Sequence, residues 1–211
     1  MRLLLVNPNS NIKTTDMMQE IAQNAAPSHF HIDAMTAPRG ALMITNSETL
    51  EASARILEEL VEPIAHANYD GVIISAFGDP GLAYFKQHLQ CPVVGIGEAS
   101  LHQANQMGSF AIVTTTEGLR PSIFSMVQKT NTNLNFRGLY ITEGDPVALM
   151  SSPETLKSQI ERACHHAVSE THCQSLIIGG GPLALAARSL SGKFKARLIE
   201  PIPAAIQMIS N

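Results

Sequence analysis

The chain has 211 residues, 45% of them hydrophobic and 15% charged, with a net charge of -4 and no cluster of Lys or Arg. That length buries the core of one large domain or of two small lobes sharing an interface. The charge balance offers nothing to a phosphate backbone or an anionic membrane surface, so neither nucleic acid nor membrane is an expected partner.

The first apolar run, residues 2–6, is too short for the core of a signal peptide and leads into Asn7 and Pro8, so it reads as a strand. No later run approaches the roughly 20 apolar residues that span a bilayer, and a cytoplasmic location is the expectation. The polar turn from Asn7 to Asn11 precedes a helix over residues 14–25. Asn7 and Ser10 there are either helix caps or donors to a ligand's oxygen beside free helix-start amides. A strand over 31–35 leads to a long helix over 47–66, whose packed stripe includes Leu50, Ala54, Leu57 and Val61.

The third strand, 71–75, runs into Ala76, Phe77, Gly78 and Asp79 and a helix over 80–88. Asp79 reads as the cap of that helix. A fourth strand over 93–96 precedes a helix over 98–106, where Glu98 has a structural place at the helix start. The fifth strand, 110–114, ends in Thr114, Thr115 and Thr116 before a helix over 117–129. Either of the last two hydroxyls caps that helix or meets a ligand. After a strand over 136–141, Ser152 and Pro153 open a helix over 153–169, a serine cap followed by proline at the first helical position. The seventh strand, 175–178, runs into Gly179, Gly180, Gly181 and Pro182, whose free amides suit an oxyanion or carboxylate. A last strand over 197–199 and a helix over 202–209 complete the chain.

Apolar β-branched runs alternating with amphipathic stretches indicate α/β lobes with parallel sheets and flanking helices. The segment from Gly71 is echoed by that from Ser175: strand, small-residue turn, then a proline that opens a helix. This repeat predicts two similar four-stranded lobes related by a pseudo-two-fold axis, with a small-molecule cleft between them. One lobe is placed at residues 1–97 plus 200–211, the other at 98–199.

Three cysteines, Cys91, Cys164 and Cys173, lack CxxC or Cys/His spacing and read as buried thiols. The adjacent His165 and His166 point about 100 degrees apart on a helix and do not share one ion easily, so no metal site is expected.

Asn7-Pro8-Asn9-Ser10, the run from Phe77 to Leu82, that from Gly95 to Ala99 and the threonine run, in that order, resemble the aspartate/glutamate/hydantoin racemase family, its hydantoin and allantoin racemases above all. The resemblance implies two α/β lobes, no metal or pyridoxal cofactor, and racemisation by two cysteines on opposite faces of the substrate's α-carbon. It places those cysteines at Ala76 and Gly180, so both are absent here. The expected contacts to a substrate or ligand are Asn7, Ser10, Phe77, Gly78, Thr115, Gly180 and Gly181, and the expected partners are that small molecule and further copies of this chain.

Losing one positioned acid or base costs about 10² to 10⁴ in rate, so losing both argues against ordinary two-thiol racemisation. Three readings stand: an enzyme on a hydantoin, allantoin or amino-acid-like carbonyl compound with an unfamiliar acid/base group, a binding or regulatory protein that holds such a compound without turnover, or a lyase on the same scaffold.

Overall fold

The computed structural model describes residues 1–210. The first half runs β1 (Arg2–Asn7), α1 (Ile12–Ala25), β2 (His31–Thr36), α2 (Ser47–Glu58), α3 (Val61–His66), β3 (Gly71–Ile74), α4 (Leu82–His88), β4 (Val93–Gly95) and α5 (Ile96–Met107). The second half runs β5 (Phe110–Thr114), α6 (Arg120–Lys129), β6 (Phe136–Ile141), α7 (Pro146–Met150), α8 (Pro153–Thr171), β7 (Ser175–Ile178), α9 (Ala184–Ser189), β8 (Arg197–Ile199) and α10 (Pro201–Ser210). Single 3-10 turns, Glu117–Leu119 and Gly181–Leu183, precede α6 and α9.

The strands form two parallel sheets, β2-β1-β3-β4 and β6-β5-β7-β8, identical in order. In each the chain first steps one way and then crosses to the other side, leaving a crevice between the carboxyl ends of the two central strands, where ligands settle in open parallel sheets. Val6 pairs with Ile74 and Val113 with Ile178, so the turns after β1 and β3 stand side by side, as do those after β5 and β7.

Alternation along the central strands sorts their side chains between two faces. Leu3, Leu5, Ile73, Phe110, Ile112 and Ile177 face one shared core that spans both sheets. Leu4, Val6, Val72 and Ile74 turn to the outer helices of the first sheet, and Ala111, Val113, Leu176 and Ile178 to those of the second. Each buried Leu, Ile, Val or Phe among these contributes about 1.5–3 kcal/mol, so the shared core also holds the two lobes together. Helix α5 leaves the first sheet and packs on β5, β7 and β8, while α10 leaves the second and packs on β4 and α1. The two helices also pack on each other.

The expected helix over 47–66 is two helices. Pro63 supplies no amide and its ring crowds the carbonyl four residues back, at Glu59, where the chain breaks. Strand β4 ends at Gly95 instead of Ile96, which already opens α5. Ser152 holds the N-cap position of α8 without capping: its hydroxyl pairs with Thr155 Oγ1 at 2.7 Å. Helix α7, outside the expected set, has Asp145 accepting the Ala148 amide at 2.8 Å and Pro146 at its first position. Among the described residues no helix is long and apolar enough to cross a membrane.

Candidate functional site

The carboxyl-end turns of β1, β3, β5 and β7 converge on a narrow cavity between the lobes, with about 520 Å³ of atom-free space, part of it open to solvent. Ala76, Phe77, Thr115, Gly180 and Gly181, five of the residues expected at the site, line it. The two small-residue turns touch: a Cβ on Gly179 would lie 2.9 Å from Phe77 Cε1, and one on Gly181 would lie 3.0 Å from the Ser75 carbonyl oxygen. Only glycine lets the second turn come this close to the first.

Asn7 and Ser10 lie beside the cavity and do not line it. Asn7 is fully buried, and its Nδ2 donates to Asn9 Oδ1 at 2.9 Å, Thr15 Oγ1 at 2.9 Å and the Asn11 carbonyl at 3.2 Å. The Asn9 amide returns a hydrogen bond to Asn7 Oδ1 at 3.1 Å. Ser10 donates to the Gly40 carbonyl at 3.0 Å, and its amide donates to Ala41. It thereby ties down the segment that carries Met43 and Ile44 over the cavity. The cap of α1 is Asn11, which accepts from the Thr14 amide.

Asn9, which pattern reading passed over in favour of Asn7, is the asparagine that faces the cavity. Its Oδ1 accepts from Asn7 Nδ2 and from the Asn11 amide at 2.9 Å, which fixes the side chain and leaves Nδ2 without a partner among the described residues. Residues two apart in a strand share a face, so strand alternation does not separate Asn7 from Asn9, and nothing in the spacing singled out the second.

The threonine run supplies the facing donors. Thr114 and Thr116 share a hydroxyl contact of 3.2 Å, while Thr115, 2% exposed, has a hydroxyl free of partners among the described residues. No side chain caps the 3-10 turn that follows. Among the described residues the backbone amides of Ala76, Thr115, Gly180 and Gly181 also make no protein hydrogen bond. Unpaired donors on lining residues of both lobes thus stand at the cavity, an arrangement that recognises the oxygen edge of a carbonyl or carboxylate. Met43, Ile44, Leu119, Ile123 and Leu183 make the remaining wall apolar.

No Asp, Glu, His, Lys, Arg, Tyr or Cys lines this cavity among the described residues. Asp79, the nearest carboxyl in the chain to Ala76, lines a neighbouring crevice with Gly78, Glu98 and Lys129. It caps α5, eighteen residues on, instead of the helix that follows it: its two oxygens accept from the Gly97 amide at 2.8 Å and the Glu98 amide at 2.7 Å. The residue is partly exposed but its carboxyl is enclosed, and burial pushes it up to about 7 against the lowering effect of both amides. Glu98 takes a Lys86 ammonium at 2.7 and 2.8 Å. Gly78 has φ +122 and packs under Leu50, so it too lies outside the cavity lining.

The cysteines are remote from this chemistry. Cys91 and Cys173 sit at the amino ends of β4 and β7, opposite the cavity, and Cys164 lies within α8. Burial raises the Cys91 thiol and pushes Cys164 up to about 12, far from a reactive thiolate. No group of three His, Cys, Asp or Glu among the described residues is placed to hold a metal ion.

Residues 3–209 match the family model described as Asp/Glu/Hydantoin racemase. The chain is 26% identical to hydantoin racemase of Paenarthrobacter aurescens over 99% of its own length and 89% of that protein. In structure it is similar to allantoin racemase from Klebsiella pneumoniae, with a TM-score of 0.94, 24% identity and coverage of 100% of this chain and 86% of that one. The allantoin racemase of Pseudomonas fluorescens gives a TM-score of 0.93 at 22% identity, covering 100% and 89%.

Proposed function

The chain belongs to the Asp/Glu/hydantoin racemase family, and from that premise we propose that it holds a small hydantoin, allantoin or amino-acid-like carbonyl compound between its lobes without inverting it. One observation carries this reading: the inter-lobe cavity is rich in hydrogen-bond donors and has no titratable side chain in its lining. Inversion of a carbon acid needs a base on one face and an acid on the other, each with a pKa near the working pH. Threonine hydroxyls and backbone amides supply neither.

In this reading Asn9 Nδ2, the Thr115 hydroxyl and the free amides of Gly180 and Gly181 bind the ligand's oxygens. Met43, Ile44, Leu119 and Ile123 exclude water over its substituent, and a drier site strengthens those hydrogen bonds. Turnover by an unfamiliar acid/base group is the second reading. It is favoured by one observation, the Asp79 carboxyl raised to about 7 three residues from Ala76. Against it, both Asp79 oxygens are held by α5 amides and the residue does not line the cavity.

The test pairs binding with exchange. Single enantiomers of 5-substituted hydantoins and of allantoin are incubated with the protein in deuterated water, and a thermal-shift series is run alongside. The expected result is stabilisation, about 2.7 kcal/mol at 100 times the dissociation constant, with no deuterium entering the α-carbon above the uncatalysed rate. Enzyme-dependent exchange would move the assignment to the second reading, and absence of any shift across the series would overturn both.

A further inference from the structure

The two walls of the cavity are unequal, and the inequality rests on one side chain. On the first turn Ala76 presents only a methyl group. On the second, Gly180 presents none and adopts φ +147, but a Cβ built on it would lie 3.2 Å from Leu183 Cγ and 3.3 Å from Leu183 Cδ1. Leu183 therefore fills the space into which a side chain at position 180 would project. It is 2% exposed, lines the cavity, and is held there by its own amide, which donates to the Gly180 carbonyl at 3.0 Å.

We propose that Leu183 is a specificity-determining residue that makes this cavity enantioselective, so that it accepts one hand of an α-substituted cyclic carbonyl compound and rejects the other. The inference rests on the ligand-binding reading above. With the ligand's oxygens fixed on Asn9, Thr115 and the glycine amides, exchanging the hydrogen and the substituent at the stereocentre turns the substituent from one wall to the other. The Ala76 wall carries only a methyl group, whereas on the other wall the Leu183 side chain already stands where even a Cβ would press on it. A pocket that inverts a stereocentre must accept both hands, because the product of one direction is the substrate of the other. A protein released from that requirement can fill one wall.

Isothermal titration with the separate R and S forms of 5-benzylhydantoin tests this, with optical purity measured at the end of each run. The expected result is a difference in dissociation constant of about tenfold or more, the discrimination that a misfit of one or two methylenes produces. Leu183→Ala should bring the two constants to within about threefold, mainly by strengthening the weaker one. Leu183→Met, which keeps the volume but changes the branching, should shift the ratio while retaining the fold if the alanine variant fails to fold.

Equal affinities for the two forms in the unmodified protein would overturn the inference and leave the binding reading standing. A ratio unchanged in both variants would overturn the role of Leu183. Failure of both forms to bind at millimolar concentration would remove the binding reading and this inference with it.

Discussion

Asn7 holds Asn9 from two directions, donating through Nδ2 to Asn9 Oδ1 at 2.9 Å and accepting the Asn9 amide on Oδ1 at 3.1 Å. One asparagine is the support and the other carries the free donor, so their substitutions should separate. Asn7→Ala strands several buried partners and should cost about 1–3 kcal/mol, a fall of roughly 2–12 °C in melting temperature for a chain of this size. Asn9→Asp keeps the accepting oxygen and replaces only the free NH₂. It should weaken a hydantoin ligand about tenfold or more by titration calorimetry. Equal loss of stability in both variants would contradict this division.

Thiol alkylation should leave ligand binding intact. Cys91 and Cys173 lie at the strand ends away from the cavity, and burial pushes the Cys164 thiol up to about 12. Mass spectrometry after treatment with N-ethylmaleimide, followed by titration of the ligand, checks this. Lost binding in a modified but folded protein would put a cysteine at the site.

Introducing thiols at positions 76 and 180 should require a third change before it has any effect on exchange. Gly180→Cys introduces a side chain at φ +147 and drives it against Leu183, so it should lower stability by about 1–3 kcal/mol from the backbone conformation alone. Ala76→Cys meets no such strain and should lower it by less. The double variant is expected to exchange little α-hydrogen. Adding Leu183→Ala should raise exchange by proton NMR in deuterated water, and a double variant as active as the triple would show that Leu183 is no obstacle.

The Asp79 carboxyl should give stability a pH dependence of unusual sign. Its folded value, about 7, lies above the ordinary 3.8, so the folded state binds the proton more tightly than the unfolded chain. The resulting stability is fully present below about 3.8 and is lost as pH rises through about 7. The slope is at most about 1.4 kcal/mol per pH unit. Urea midpoints between pH 5 and 7.5 should fall with pH more steeply in the unmodified protein than in Asp79→Asn. Parallel slopes would show that the two α5 amides keep the carboxyl ionised.

The alternation of apolar and amphipathic segments along the chain was enough to establish the α/β class, the parallel strands and, through the echo of Gly71–Ile74 by Ser175–Ile178, the equivalent third strands of two sheets. Such periodicity reports which faces are buried, a property each segment carries by itself. The turns at the strand ends were legible from their own Asn, Pro and Gly residues, and the absence of cysteine from positions 76 and 180 is read directly. Which side chains of those turns enter the cavity was a tertiary matter. Asn9 faces inward because Asn7 is engaged by Thr15 of α1, and Asp79 is drawn outward by amides of α5 eighteen residues away. Leu183 stands over Gly180 because a 3-10 turn folds it back. For Asn9 and Asp79 the deciding partner comes from another element, and a hydrogen bond across elements leaves no trace in the spacing of residues along one.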